Sequence, residues 1–85
     1  MYEVVFTKQA TRTLRKLPRN VSQLIREKID EIATDPFAVH NNVTKLVGRP
    51  GCRLRIGDWR VIYELQNEQL MMLVVKIGPR GEVYE

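Results

Sequence analysis

Between Cys52 and Tyr63 the chain reads Cys52-Arg53-Leu54-Arg55-Ile56-Gly57-Asp58-Trp59-Arg60-Val61-Ile62-Tyr63, and the residues in it that could do chemistry are arginines. Guanidinium groups grip phosphate through paired hydrogen bonds and stabilise the charge that builds up when phosphorus becomes pentavalent. Apolar and basic residues alternate on both sides of Gly57-Asp58, which predicts two half-buried strands joined by a two-residue turn. In that register Ile56 lies opposite Trp59, Arg55 opposite Arg60, and Leu54 opposite Val61. Leu54, Ile56, Trp59 and Val61 then share one face, and Arg53, Arg55 and Arg60 share the other. Like charges directly across a strand pair repel. An anion held between Arg55 and Arg60 is the simplest reason for placing them there.

The charge distribution supports an anionic partner. The chain carries 14 Lys+Arg against 10 Asp+Glu, a formal net charge of +4. Lys45, Arg49, Arg53, Arg55 and Arg60 face a single acid, Asp58, between residues 45 and 60, and this local excess equals that of the whole chain. Such a concentration is the footprint expected for nucleic acid or for an acidic protein. Other chemistries find no foothold. One His, one Cys and scattered carboxylates offer no metal-ligand spacing. No Gly-rich phosphate loop precedes a helix, and no Ser-His-Asp or Cys-His set can be assembled. A single cysteine, with no signal peptide, lipidation motif or membrane-length apolar run, predicts a protein of the reducing cytoplasm without membrane attachment. Cys52 reads as a small strand residue at the core edge.

The elements that must position the arginines follow in order. Residues 1–85 are expected to form one domain. Tyr2 to Phe6 reads as a first strand, and Thr7 as the N-cap of a helix from Lys8 to Leu17 with Ala10, Leu14 and Leu17 on its apolar face. Lys8, Arg12, Arg15 and Lys16 make its polar face basic, either a solvated surface or a second phosphate-binding strip. Pro18-Arg19-Asn20 breaks the pattern, with Asn20 a candidate cap for a second amphipathic helix from Val21 to Thr34. The short break predicts an antiparallel helix pair covering one face of a sheet. Asp35-Pro36 ends it, and Phe37 to Gly51 reads as a loop anchored by Leu46 and Val47, in which the lone His40 is incidental. After the arginine hairpin, a break at Gln66–Gln69 leads to Leu70–Ile77, apolar on both faces and so expected to be central or covered. Whether Lys76 joins the arginine face depends on the length of that loop. Gly78-Pro79 should stop the strand, and a tail folding back would bring Arg80 and the ring of Tyr84 to the basic face.

A cluster of arginines with a tyrosine suits metal-free RNA cleavage, in which the ribose 2′-OH supplies the attacking oxygen. Proton transfer is the weak point of such a site, since arginine exchanges protons poorly near neutrality.

The run Arg53 to Tyr63, followed by Lys76-Ile77-Gly78-Pro79-Arg80-Gly81-Glu82-Val83-Tyr84, resembles the RelE toxins of the RelE/ParE toxin-antitoxin superfamily. The order of elements is similar over essentially the whole chain, including the Lys45-Leu46-Val47-Gly48 approach to a three-strand meander. The resemblance implies a small α+β fold, with an N-terminal strand and an antiparallel helix hairpin packed on one face of a twisted, mainly antiparallel sheet. It implies a ribosome-dependent mRNA endonuclease that cuts codons in the A site, needs no cofactor, and is held inactive by an acidic, partly disordered RelB-like antitoxin. By position, Arg53 and Arg55 match the family's basic strand pair, Arg60 its phosphate-stabilising arginine, Arg80 its C-terminal arginine, and Tyr84 the tyrosine that stacks on or orients the substrate base. Lys45, Arg49 and Lys76 are candidate substrate-binding residues. Where the best-known members carry lysines, this chain has Arg53 and Arg55, which makes either a poorer general base. The arginine hairpin is shared with the ParE branch, whose members inhibit DNA gyrase without cleaving RNA. A ParE-like gyrase inhibitor is therefore the alternative, and a small RNA-binding module without activity is a third.

Overall fold

The computed structural model describes residues 1–79. In chain order they form β1 (Glu3–Phe6), α1 (Lys8–Lys16), α2 (Arg19–Thr34), β2 (Val43–Lys45), β3 (Cys52–Ile56), β4 (Trp59–Gln66), a 3-10 turn (Asn67–Gln69) and β5 (Met71–Pro79). The strands make one sheet in the order β1-β5-β4-β3-β2. Only β1 and β5 run parallel; the other three pairings are antiparallel. This is the α+β architecture expected, two helices on a mainly antiparallel sheet.

The core lies between the helices and one sheet face. Ala10 and Leu14 from α1 and Ile25, Ile29, Ile32 and Ala33 from α2 meet Leu54, Ile56, Val61, Tyr63, Met72, Val74 and Ile77 from the strands. The helical period of the first set, and the two-residue period of Leu54, Ile56 and Val61 in the hairpin, are those read from the sequence. Thr7 caps α1 as expected, accepting from the Ala10 amide at 3.2 Å. The same hydroxyl donates to the Val75 carbonyl at 2.6 Å, tying the cap to the sheet.

β5 is central, as its apolar character on both faces predicted, yet β1 pairs with it only as far as Val74. Beyond that point side chains take over the edge. Gln9 donates from Nε2 to the Ile77 carbonyl and accepts the Ile77 amide through Oε1, both at 3.0 Å. One side-chain amide thus does what a neighbouring strand would do for an otherwise unpaired backbone.

Several boundaries differ from expectation for identifiable reasons. α2 starts at Arg19 with Pro18 at its N-cap position, so Asn20 lies inside the helix and caps nothing. The fixed φ of proline, −54° here, already suits helix entry. The segment expected to be all loop contains β2, a three-residue edge strand with Val43 half-buried, too short to show alternation. Val47 is 98% exposed and anchors nothing, whereas Leu46 is half-buried and its amide donates to the Gly51 carbonyl at 3.1 Å. Leu70 is a turn residue with φ +51°, and β5 begins after it. Gly78 and Pro79 do not stop β5 but pair with Arg60 and Trp59. Among the described residues no strand flanks β5 on its other side there, so a residue without an N–H is tolerated.

From the sequence the face of Lys76 turns on loop length, and the cost of burying a lysine favours a place beside Arg60 or beyond the core edge. Tyr63 pairs with Val74 but Ile62 pairs with Lys76, leaving Val75 as the extra residue of a β-bulge. Continued without the bulge, the register would set Lys76 opposite Val61, inside the core. With it, Lys76 joins the face of Arg53 and Arg60. Deleting Val75 should therefore cost more than about 3 kcal/mol in urea unfolding, because it forces an uncompensated lysine inward or slides the strand end. Val75→Ala, which keeps the bulge, should cost no more than about 1 kcal/mol.

Candidate active site

The turn at the head of the hairpin sets the geometry. Gly57 has φ +56° and Asp58 has no positive φ, the pattern of a type II′ turn whose first position favours glycine. It fixes the predicted register, with Ile56 opposite Trp59, Arg55 opposite Arg60 and Leu54 opposite Val61. On the face away from the helices, Arg55, Arg60 and Gly78 form one row across β3, β4 and β5. Thr44, Arg53, Ile62 and Lys76 form the adjacent row across β2 to β5.

Arg55 and Arg60 do not simply confront each other. Arg60 is 9% exposed, and its Nη1 donates to the carbonyls of Gly57 at 2.9 Å and Trp59 at 3.0 Å. Arg55 is exposed and its Nη2 reaches Asn42 Oδ1 at 3.5 Å. Each guanidinium is drawn to a different acceptor, so the pair is accommodated by the protein's own oxygens. Arg60 is a cation held in place by backbone; Arg55 is its exposed neighbour. Asn42, which the sequence reading passed over, also accepts the Arg55 amide through its carbonyl at 2.9 Å and has φ +68°. The signal for it was the Asn41-Asn42 pair, which favours a left-handed turn residue just before a strand.

The other candidates divide into groups. Arg53 is half-buried on the arginine face, and Lys76, also half-buried, stands beyond Ile62 in the same row. Lys45 pairs with Cys52, so the pleat turns it away from the Arg55–Arg60 row. Lys45, Arg49 and Arg53 instead line a separate cavity of about 280 Å³ at the β2 edge. Arg80 and Tyr84 lie outside the described residues. His40 lines a cavity of about 500 Å³ together with Lys28, Glu31, Asn42 and Arg55. Its Nε2 lies 2.6 Å from the Asp35 carbonyl; since a carbonyl only accepts, that nitrogen carries the proton and a neutral ring leaves Nδ1 as the acceptor. The loop fold brings His40 to a cavity it shares with Arg55, which the sequence spacing did not indicate. Among the described residues no three His, Cys, Asp or Glu side chains come together, and no helix is long and apolar enough to cross a membrane.

Tyr63 belongs to the core side of the same hairpin. It is fully buried opposite Cys52, and burial first, then the neighbouring thiol, push its phenol above the ordinary value.

Comparison with known proteins places this geometry. The family model described as the ParE toxin of the type II toxin-antitoxin system, parDE, matches residues 4–84. The mRNA interferase toxin RelE of Escherichia coli (strain K12) is 31% identical over 98% of this chain and 90% of its own length. The chain belongs to the RelE/ParE toxins of type II toxin-antitoxin systems. The isolated E. coli RelE toxin superimposes with a TM-score of 0.79 at 28% identity, covering 99% of this chain and 92% of that one. RelE from the archaeal RelE-RelB complex of Pyrococcus horikoshii OT3 does so with a TM-score of 0.79 at 31% identity, covering 94% and 96%. In this family member, then, the arginine hairpin is built on a sheet whose other face is closed by both helices.

The buried phenol has a measurable consequence. A phenol whose pKa is higher when folded than when unfolded binds more protons in the native state, so its stabilisation is complete below the unfolded value of about 10 and is lost as pH rises past it. Stability of the chain should therefore fall above about pH 10 by up to about 1.4 kcal/mol per pH unit from this group, and Tyr63→Phe should remove that component of the slope in urea titrations.

Proposed function

We propose that residues 1–85 act as one toxin domain, a metal-independent mRNA interferase that cleaves codons in the ribosomal A site. The observation that carries this reading is Arg60, nearly buried and bonded to two backbone carbonyls, directly across from the exposed Arg55. The near full-length likeness to an mRNA interferase toxin supports it. The ribose 2′-oxygen attacks phosphorus, the bond to the 5′-oxygen breaks, and the products are a 2′,3′-cyclic phosphate and a free 5′-hydroxyl. The nucleophile comes from the RNA. The protein's task is to hold the phosphate and stabilise its extra negative charge. A preorganised guanidinium does this without reorganising during the reaction. In this reading Arg60 and Arg55 contact the non-bridging oxygens, Arg53 and Lys76 hold the flanking backbone, Arg80 adds charge at the leaving oxygen, and Tyr84 stacks on the base. The chain works in the cytoplasm, where translating ribosomes supply its substrate.

Its antagonist in this reading is a RelB-like antitoxin, a flexible acidic chain that orders as it wraps the toxin. The RelE-RelB complex of P. horikoshii supports the pairing. The match to a family described by its ParE toxin keeps one other target in view, DNA gyrase.

Primer extension on a translated message decides between them. Codon-spaced cuts are expected; growth arrest with intact mRNA and DNA-damage signalling would move the chain to the gyrase reading. Arg60→Ala should slow cleavage by about 100-fold or more, as loss of one preorganised donor does elsewhere, with the circular dichroism spectrum unchanged. Arg80→Ala and Tyr84→Ala should each relieve growth arrest. Full toxicity in both would remove the tail from the mechanism.

A further inference from the structure

The cavity at the β2 edge is lined by Thr44, Lys45, Leu46, Val47, Arg49 and Arg53, three cations with no carboxylate among them. Its walls come from β2, the loop after it and Arg53 of β3, and the loop is shaped by its backbone. The Leu46 amide donates to the Gly51 carbonyl at 3.1 Å. Gly51 has φ +110°, and a Cβ there would come within 2.9 Å of the Tyr63 carbonyl, so only glycine lets the loop lie this close to β4. The loop therefore carries Arg49 to the rim of the cavity.

Arg53 joins this cavity to the candidate active site. It lines the cavity, and it also stands on the arginine face two residues from Arg55 on the same strand. Alternate residues of a strand are roughly 6.6 Å apart, a step that an extended single strand can match from one phosphate to the next. The cations thus run in sequence from Arg60 and Arg55 near the turn, through Arg53, to Lys45 and Arg49 at the sheet edge. Glu64, whose Cγ would lie 3.3 Å from a Cβ on Gly51, stands beside this loop. Val47, almost wholly exposed at the rim, offers an apolar edge against which a sugar can rest.

We propose that Lys45, Arg49 and Arg53 form a second phosphate subsite, which grips the backbone of the RNA strand on one side of the phosphate held at Arg55 and Arg60. This rests on the RNA-binding half of the reading above and adds a direction to it: the strand lies along β3, from the Gly57 turn towards the β2 edge. The subsite anchors substrate without touching the reacting atoms. It compensates for a site whose cations at the cut are few and partly committed to backbone oxygens.

The test uses the full chain and an uncleavable 2′-O-methyl RNA dodecamer. Lys45→Ala/Arg49→Ala should bind about tenfold more weakly than the parent, with the slope of log K against log salt shallower by about 1.4, the value for two released counterions on a single strand. Arg19→Ala/Arg26→Ala, which removes the same charge from α2 at positions outside the cavities that Arg53 and Arg55 line, should bind like the parent. Replacing single phosphates by neutral methylphosphonates should then reveal one or two positions, on one side only, whose replacement weakens the parent and leaves the Lys45→Ala/Arg49→Ala variant unaffected. Equal binding and equal slopes in parent and variant, or phosphonate losses identical in both, would overturn the subsite. Cleavage is read separately by primer extension with the parent chain. Binding of the expected pattern without codon-spaced cuts would sink the nuclease reading and keep the subsite, whereas cuts with unchanged binding in the variant would do the reverse.

Discussion

The turn at Gly57-Asp58 pins Ile56 against Trp59, and the pleat then decides the face of every residue on β3 and β4. With that pin, Leu54, Val61 and Tyr63 close the core while Arg53, Arg55 and Arg60 look away from it. A slip of one residue would exchange the two sets. Burying even one unpaired guanidinium costs several kcal/mol, a large fraction of the stability of a domain this size. The apolar residues and the arginines therefore hold the same register from opposite sides of the sheet. The functional face cannot shift without emptying the core.

The hairpin alone would leave two guanidinium groups opposed across a strand pair. The structure relieves this with carbonyl and amide oxygens from the turn and from Asn42. Arg60 becomes the fixed member of the pair, its charge nearly desolvated and its orientation set by backbone that the turn itself defines. A charge held in that way is worth more to an incoming phosphate than one on a freely rotating side chain, because the ordering cost is met when the protein folds. Arg55 stays exposed, and its link to Asn42 is long. The pair thus combines one preorganised cation with one that can close on a ligand.

β5 carries the other half of the site and is held by an assortment of partners. β1 pairs with it up to Val74, then Thr7 and Gln9 take over, so that helix α1 is stitched to the strand by its first residues. On the opposite edge, the bulge at Val75 turns Lys76 out beside Ile62. The same irregularity keeps Val74 and Ile77 in the core. One extra residue reconciles a continuous apolar run with a cation in its middle.

The sequence by itself determined the hairpin register, the helical faces, the cap at Thr7 and the central place of β5. Each of these follows from a local period or from the chemistry of one residue, and local signals survive without tertiary context. It also marked the arginine face through a charge imbalance confined to residues 45–60. It did not reveal β2, since three residues are too few to show alternation, or the bulge, since an inserted residue in an apolar run looks like any other. Nor did it separate Lys45 and Arg49 from the Arg55–Arg60 row, because which face an edge residue takes depends on a partner strand remote in sequence. The acceptors of Arg60, the approach of Asn42 to Arg55, and the cavity that His40 shares with Arg55 were decided only by the tertiary structure. They are contacts between segments brought together by folding, and no spacing along the chain encodes them.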